Sequence, residues 1–139
     1  MIQESKDSSR SLDLAAISVA VLRAELGDVQ RFTRTDEVIA YGGMDIEIKE
    51  SGHRIGKAKL SKRGSGLLRR MLYMAALRSI SLEGSAFGAD SQRLVARGRK
   101  SGSALMAVMR KMLAVAAYLL RHEEEQYDRS LVCAGAPVR

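Results

Sequence analysis

Residues 103–121 read SALMAVMRKMLAVAAYLLR, and this stretch decides the class of fold. Apolar side chains recur along it at the spacing of one helix face. These residues are Leu105, Val108, Met112, Val115 and Leu119. We therefore predict a long helix that buries this face. Arg110 and Lys111 interrupt the apolar run near its middle. A membrane-spanning helix needs roughly 18 apolar residues in a row, so we do not expect this helix to span a membrane.

The composition of the 139 residues agrees with a helical core. Hydrophobic residues make up 46% of the chain, but aromatic residues only 4%, so Leu, Ala, Val, Ile and Met must fill the interior. The length predicts one domain. We expect a disordered lead over residues 1–10, the domain over residues 11–122, and a polar tail over residues 123–139.

Shorter patterns predict the remaining helices. We expect them at residues 11–26, 36–41, 67–80 and 91–97. Gly27 and the pair Gly42-Gly43 are predicted to end the first two, and Thr35 to cap the start of the second.

Residues 44–60 follow a different pattern, because apolar and polar residues alternate with a period of two. The apolar positions are Ile46, Ile48, Ala58 and Leu60. Ser51, Gly52, His53 and Gly56 lie between them and are typical of a flexible tip. The predicted fold class is therefore mainly α, a small helical domain with a short basic β-hairpin insertion.

The positive charge is concentrated in this insertion and the residues after it. Residues 49–70 contain one acid, Glu50, and eight basic residues. These are Lys49, Arg54, Lys57, Lys59, Lys62, Arg63, Arg69 and Arg70. Eight cations less one anion give +7, which equals the formal charge of the whole chain. The pattern predicts one basic element that contacts nucleic-acid phosphates, on an otherwise neutral body.

Two other interpretations of the basic segment are weaker. A solvated hairpin protected by edge lysines accounts for two or three cations, but poorly for eight. A membrane-surface helix would need an apolar face with Trp, Phe and Leu, which this segment lacks. Residues 61–66, rich in Gly, Ser and cations, precede a predicted helix and are typical of a loop that contacts a phosphate backbone.

The residues alone do not identify a catalyst. Cys133 is the lone cysteine, and with two histidines the chain has neither a disulfide framework nor a zinc set. No acidic cluster suggests a metal site, and no cofactor is expected in this chain. Ser51 and Ser61 flank the basic hairpin, but without an evident base both are better explained as turn residues. The expected compartment is the cytoplasm.

Several short motifs in fixed order resemble the C-terminal domain of the insertion-sequence 116/110/902 transposase family. The resemblance extends from about Ile17 to Asp128. The motifs are Ala24-Glu25-Leu26-Gly27-Asp28, Arg31-Phe32, Ala40-Tyr41-Gly42-Gly43-Met44-Asp45, Glu50-Ser51-Gly52, Ser61-Lys62-Arg63-Gly64, Leu68-Arg69-Arg70-Met71-Leu72-Tyr73-Met74-Ala75-Ala76 and Tyr127-Asp128.

The resemblance implies a bacterial DNA transposase or recombinase. In that family a ribonuclease-H-like N-terminal domain holds divalent metal ions with four acidic ligands, and the C-terminal domain supplies a serine that attacks DNA. It places the nucleophile at Ser51, with Ser61 as the alternative. DNA is then the expected partner, together with an element-encoded guide RNA and a second copy of the chain, and no membrane.

Two motifs depart from the family pattern. The usual Gly-x-Gly-Pro reads Asp13-Leu14-Ala15-Ala16, and the usual Gly-Leu-x-Pro reads Gly43-Met44-Asp45-Ile46. We expect the chain to lack the acidic domain and to be inactive alone, as a fragment, a split gene or a decayed element. The alternative is a stand-alone nucleic-acid-binding remnant without catalysis, and a third is a helical interaction protein with a basic loop.

Overall fold

A computed structural model describes the backbone of residues 18–47, 50–51, 54–55, 59–61 and 63–122. The predicted lead and tail, and residues 13–16, where the sequence departs from the family motif, lie outside the described residues. Side chains are described for residues 18–45, 61 and 63–122.

Helices make up most of the described chain. The described part of α1 covers residues 18–26, followed by a 3-10 helix at Val29–Arg31, α2 at Thr35–Tyr41, α3 at Gly66–Ser81, α4 at Ala86–Ala96 and α5 at Ser101–Arg121. The prediction of a mainly helical protein is therefore confirmed.

Four two-residue strands lie between α2 and α3. They are β1 at Ile46–Glu47, β2 at Glu50–Ser51, β3 at Arg54–Ile55 and β4 at Lys59–Leu60. β1 pairs antiparallel with β4, and β2 pairs antiparallel with β3 in a separate two-stranded sheet. One continuous hairpin would run through intervening residues that are not described, so it stays a prediction.

The start of α2 is stabilised differently from the prediction. Thr35 is the first helical residue and does not cap the helix. Instead, the Thr33 backbone N–H and hydroxyl donate hydrogen bonds to Glu37, at 2.8 and 3.1 Å. The backbone hydrogen bond is the main reason that the pKa of Glu37 is lowered. The carboxylate in the first turn also suits the positive end of the helix.

Helix α5 is the centre of the domain, since α2, α3, α4 and the 3-10 helix all pack against it. Its buried residues are Ala104, Val108, Met109, Leu113, Ala114, Val115 and Ala117. The predicted buried face is therefore partly wrong, because Leu105, Met112 and Leu119 are only half-buried. Alanines occupy much of the true contact face, and their small side chains let neighbouring helices come close.

By length and composition alone, α5 is long and apolar enough to cross a membrane. Its packing is that of a core helix, with buried residues along most of its length and α2, α3 and α4 around it. Length and apolar composition are common to both kinds of helix, so they do not identify a membrane span.

Helix α4 begins at Ala86, five residues before the predicted start at Ser91. The Ser85 hydroxyl accepts a hydrogen bond from the Gly88 N–H, which caps the helix. Gly88 lies so close to α3 that a Cβ there would be 3.2 Å from the Ile80 carbonyl oxygen. The first turn of α4 therefore packs closely against α3 at Gly88, which has no side chain and adds nothing to a hydrophobic pattern.

A buried ion pair joins α4 to α5. Asp90 is 8% exposed at its side chain, and the Lys111 ammonium lies 2.9 Å from its carboxylate. Arg93 pairs with the other carboxylate oxygen. Burial alone would raise the pKa of Asp90, but the hydrogen bonds from Lys111 and Arg93 outweigh it and lower the pKa. The carboxylate therefore stays ionised at neutral pH, and the two paired cations offset the cost of burying its charge between the helices.

Candidate nucleic-acid interface and serine site

The turn after α2 and the loop before α3 cross in very close contact. The turn ends α2 with two backbone hydrogen bonds, from Gly43 N to the Ala40 oxygen and from Met44 N to the Ile39 oxygen, both 3.0 Å. Gly43 has a φ of 69°, as this helix-ending motif requires. The Met44 side chain is fully buried in the core, so the turn is fixed at both sides.

Glycines make this crossing possible. A Cβ on Gly43 would lie 2.5 Å from the Gly64 backbone nitrogen, and a Cβ on Gly64 would overlap the Tyr41 carbonyl oxygen. The turn after α2 cannot move away cheaply, because Gly42 on its far side lies against the Leu113 side chain of α5. The motifs Tyr41-Gly42-Gly43 and Arg63-Gly64 are thus explained by one contact.

Arg69 holds the crossing from the first turn of α3. Its Nη1 donates a hydrogen bond to the Gly64 carbonyl at 2.8 Å and a longer one to the Gly42 carbonyl at 3.5 Å. The side chain is half-buried. One guanidinium nitrogen therefore connects both loops through their backbone oxygens.

Asp45 and Ser61 close the base of the strand region. Ser61 N donates a hydrogen bond to the Asp45 backbone oxygen at 3.0 Å, and the Ser61 hydroxyl donates to the Asp45 carboxylate. This pair continues the register of β1 and β4, in which Ile46 faces Leu60 and Glu47 faces Lys59. We refer to the two residues as the Asp45–Ser61 latch.

The structure describes the side chains of three of the eight predicted phosphate-binding cations. Arg63 and Arg70 are exposed, whereas Arg69 is half-buried with Nη1 on the loop carbonyls. The side chains of the other five, Lys49, Arg54, Lys57, Lys59 and Lys62, and those of Ser51 and His53, lie outside the described residues. The loop predicted at residues 61–66 is followed by α3, and the Ser65 hydroxyl caps that helix by accepting a hydrogen bond from Leu68 N at 3.2 Å.

Sequence patterns did not point to two features of the domain. Asp45 was not singled out, and only its 16-residue separation from Ser61 is visible in the sequence. The second is a run without acids from Ser91 to His122 that contains seven cations. The acids elsewhere in the chain balance these cations. The net charge outside residues 49–70 is therefore zero, but the positive charges are concentrated in residues 91–122.

Among the described residues, no group of three or more His, Cys, Asp or Glu side chains could hold a metal ion. The chemical groups that the crossing and its surroundings offer are cations, a hydroxyl and one carboxylate. Such groups can bind a phosphodiester and orient it.

Replacing Gly64 by alanine should destabilise the domain by about 2 kcal/mol, because the added methyl group overlaps backbone atoms on the other side of the crossing. Thermal unfolding followed by circular dichroism would measure this as a fall in Tm of roughly 10 °C. Gly102→Ala is the matched control, since a Cβ there meets nothing within 4 Å. Equal melting temperatures for the two variants would show that the crossing can open without cost.

Comparison with known proteins identifies the family. Residues 14–92, more than half of the chain, match the model of the transposase IS116/IS110/IS902 family. The matched region includes α2, α3, the glycine crossing and the Asp45–Ser61 latch. A search of curated proteins finds no match. The chain belongs to the IS116/IS110/IS902 family of transposases.

Proposed function

We propose that this chain is the DNA-binding C-terminal domain of a transposase and supplies the serine nucleophile for strand cleavage and transfer. The observation that carries the proposal is the family match across the segment that holds the +7 charge. Family membership supports DNA as the partner. The element-encoded guide RNA, a second copy of the chain and a cytoplasmic location are further parts of the proposal.

Residues 46–60 form one basic hairpin in this proposal. The registers support it because they are nested: β2 and β3, with Glu50 facing Ile55 and Ser51 facing Arg54, lie inside the pair of β1 and β4. The latch and Arg69 then fix the base of the hairpin to the helical core. A rigid base lets the hairpin present its cations to a phosphate backbone at a defined angle.

Ser51 is the better candidate for the nucleophile, and Ser61 has a structural explanation. The Ser61 hydroxyl is half-buried and donates to Asp45, whose negative charge would repel an approaching phosphate. Ser51 ends β2 next to the two residues that separate β2 from β3, at the far end of the proposed hairpin. A serine at that end can meet DNA without breaking the latch.

The proposed step is a transesterification at phosphorus. The Ser51 Oγ–P bond forms as the P–O bond to the departing nucleotide breaks. The hydroxyl proton passes to a base on a ribonuclease-H-like domain, and the departing oxygen takes up a proton from water. Cations of the hairpin neutralise the charge that develops on the phosphate oxygens. The divalent metal ions that assist such chemistry would be held by the acidic ligands of that other domain.

DNA binding by the hairpin can be tested with the intact chain. Replacing Lys57, Lys59 and Lys62 by alanine should weaken binding to a 30-bp duplex of arbitrary sequence. Each lost phosphate contact lowers the slope of log affinity against log salt by about 0.9, so the slope should fall by about 2 to 3. Fluorescence anisotropy at several salt concentrations measures both quantities.

A variant with the same loss of charge serves as the control. It replaces three exposed and scattered arginines by alanine: Arg23 in α1, Arg34 just before α2 and Arg78 in α3. This scattered variant should bind nearly as the parent does. If the two variants have the same salt slope, the hairpin is not the DNA contact, and if the parent does not bind DNA the proposed function is wrong.

A further inference from the structure

The turn between α4 and α5, residues 97–100, has a fixed backbone. Gly98 has a φ of 90°, and its N–H donates to the Val95 oxygen at 2.9 Å. Arg99 N donates to the Leu94 oxygen at 3.2 Å. These two bonds define the same helix-ending motif as at Gly43. The turn is therefore a preformed part of the fold, and its side chains project from a defined position.

Three of the four residues of this α4–α5 turn are exposed cations, Arg97, Arg99 and Lys100. None of them forms an ion pair with another residue in the described part of the chain. Asp90 is the nearest acid before them in the sequence, and it is already paired with Lys111 and with another arginine. The sequence contains no acid between this residue and the end of α5.

Three adjacent like charges repel one another, and this repulsion is relieved when an anion binds. The neighbouring residues also suit a phosphate backbone, because α5 begins with the exposed residues Ser101, Gly102 and Ser103. Arginine, lysine and serine side chains are common donors to phosphate oxygens. The open space around Gly102 leaves room for a polymer to lie close to the turn. A lipid surface is a poorer fit, since an interfacial segment needs large apolar side chains.

The α4–α5 turn is distant from the base of the hairpin. Gly42, at that base, packs against Leu113 of α5. Ser101 precedes Leu113 by twelve residues, which corresponds to about 18 Å along the helix axis. The turn also lies beyond residues 14–92, which match the family model. The matched region therefore does not include the cations of the turn.

We infer that the α4–α5 turn is a second contact site for a nucleic-acid phosphate backbone, separate from the basic hairpin. The inference rests on the proposed function, because it assumes that the chain binds nucleic acid. Two separated contacts lengthen the footprint and restrict the angle at which the strand can lie on the domain. The phosphate backbone is common to element DNA and to a structured RNA, so either can occupy the site.

Replacing Arg97, Arg99 and Lys100 by alanine in the intact chain tests this inference. We expect the salt slope on a 30-bp duplex to fall by about 2 to 3, and the affinity at about 0.1 M salt to fall at least tenfold. The variant with Arg23, Arg34 and Arg78 replaced loses the same charge, and its affinity for the duplex should fall less than about threefold. Circular dichroism should show unchanged helicity, since all three side chains are exposed.

A second arm uses an RNA hairpin of the same number of nucleotides in place of the duplex. A loss of affinity for only one of the two probes supports the inference and identifies the occupant as DNA or RNA. Equal binding by the turn variant and the scattered variant on both probes would overturn it, while leaving DNA binding by the parent intact. Failure of the parent to bind either probe would instead overturn the proposed function on which the inference rests.

Discussion

Ser51→Ala should abolish covalent attachment of the protein to DNA once a ribonuclease-H-like domain of the family is joined to the N-terminus of this chain. The expected adduct is a phosphodiester between the serine oxygen and a DNA strand. Labelled DNA carrying the end of an element, resolved on a denaturing gel, would show it as a band that requires Ser51. Because the nucleophile itself is removed, we expect complete loss rather than a reduced rate.

Ser61→Ala is the matched control, because it removes a hydroxyl from the same strand region. It breaks the latch to Asp45, which should cost about 1 kcal/mol of stability and leave the adduct in place. An adduct that survives Ser51→Ala and disappears with Ser61→Ala would move the nucleophile to Ser61. An adduct formed by the 139 residues alone would contradict the division of labour between two domains. DNA binding with no adduct in the fused protein would favour the non-catalytic alternative.

Leu113→Asp should leave the domain unfolded. Leu113 is 0% exposed at the centre of α5, so the substitution removes a core side chain and places an unpaired carboxylate among apolar neighbours. Together these effects exceed about 5 kcal/mol, which is comparable with the whole stability of a domain of this size. Far-ultraviolet circular dichroism and urea unfolding would report the loss of helical structure.

Met112→Asp is the neighbouring control and should remain folded at reduced stability. Met112 is half-buried, so its replacement can keep the charge in contact with water. Leu113→Ala provides a graded version of the test, with an expected loss of about 3 kcal/mol. If Met112→Asp unfolds the chain while Leu113→Asp does not, α5 packs by the face that the sequence predicted.

The sequence predicted helices correctly where large apolar residues and strong end signals coincide. The helix predicted at residues 67–80 is found at Gly66–Ser81, because a serine caps its start and leucines line its buried side. The start of α4 was missed because Gly88 and Asp90 are buried there, and neither belongs to a hydrophobic pattern. On α5 the pattern emphasised long side chains, whereas alanines form much of the packed face.

The candidate site was predictable only as a charged segment. Arg69 is one of the predicted phosphate-binding cations, and its contacts with two loop carbonyls could not be inferred from its charge. The latch joins residues 16 positions apart, and no local spacing rule connects a carboxylate with a hydroxyl at that separation. The net charge of the residues outside 49–70 is zero, and a net charge contains no information on position. It therefore did not point to the cations of the α4–α5 turn.

The central place of α5 determines when this domain can fold during its synthesis. The helix against which the others pack is translated after them, so no complete core can form until it leaves the ribosome. From Met71 to Arg121 the ribosome adds 51 residues, which takes about 3 to 10 s at ordinary rates. For that interval the basic segment exists on a nascent chain without a folded base. A chain truncated before α5 would lack the helix on which the others pack, so its exposed apolar faces would make it a substrate for proteases.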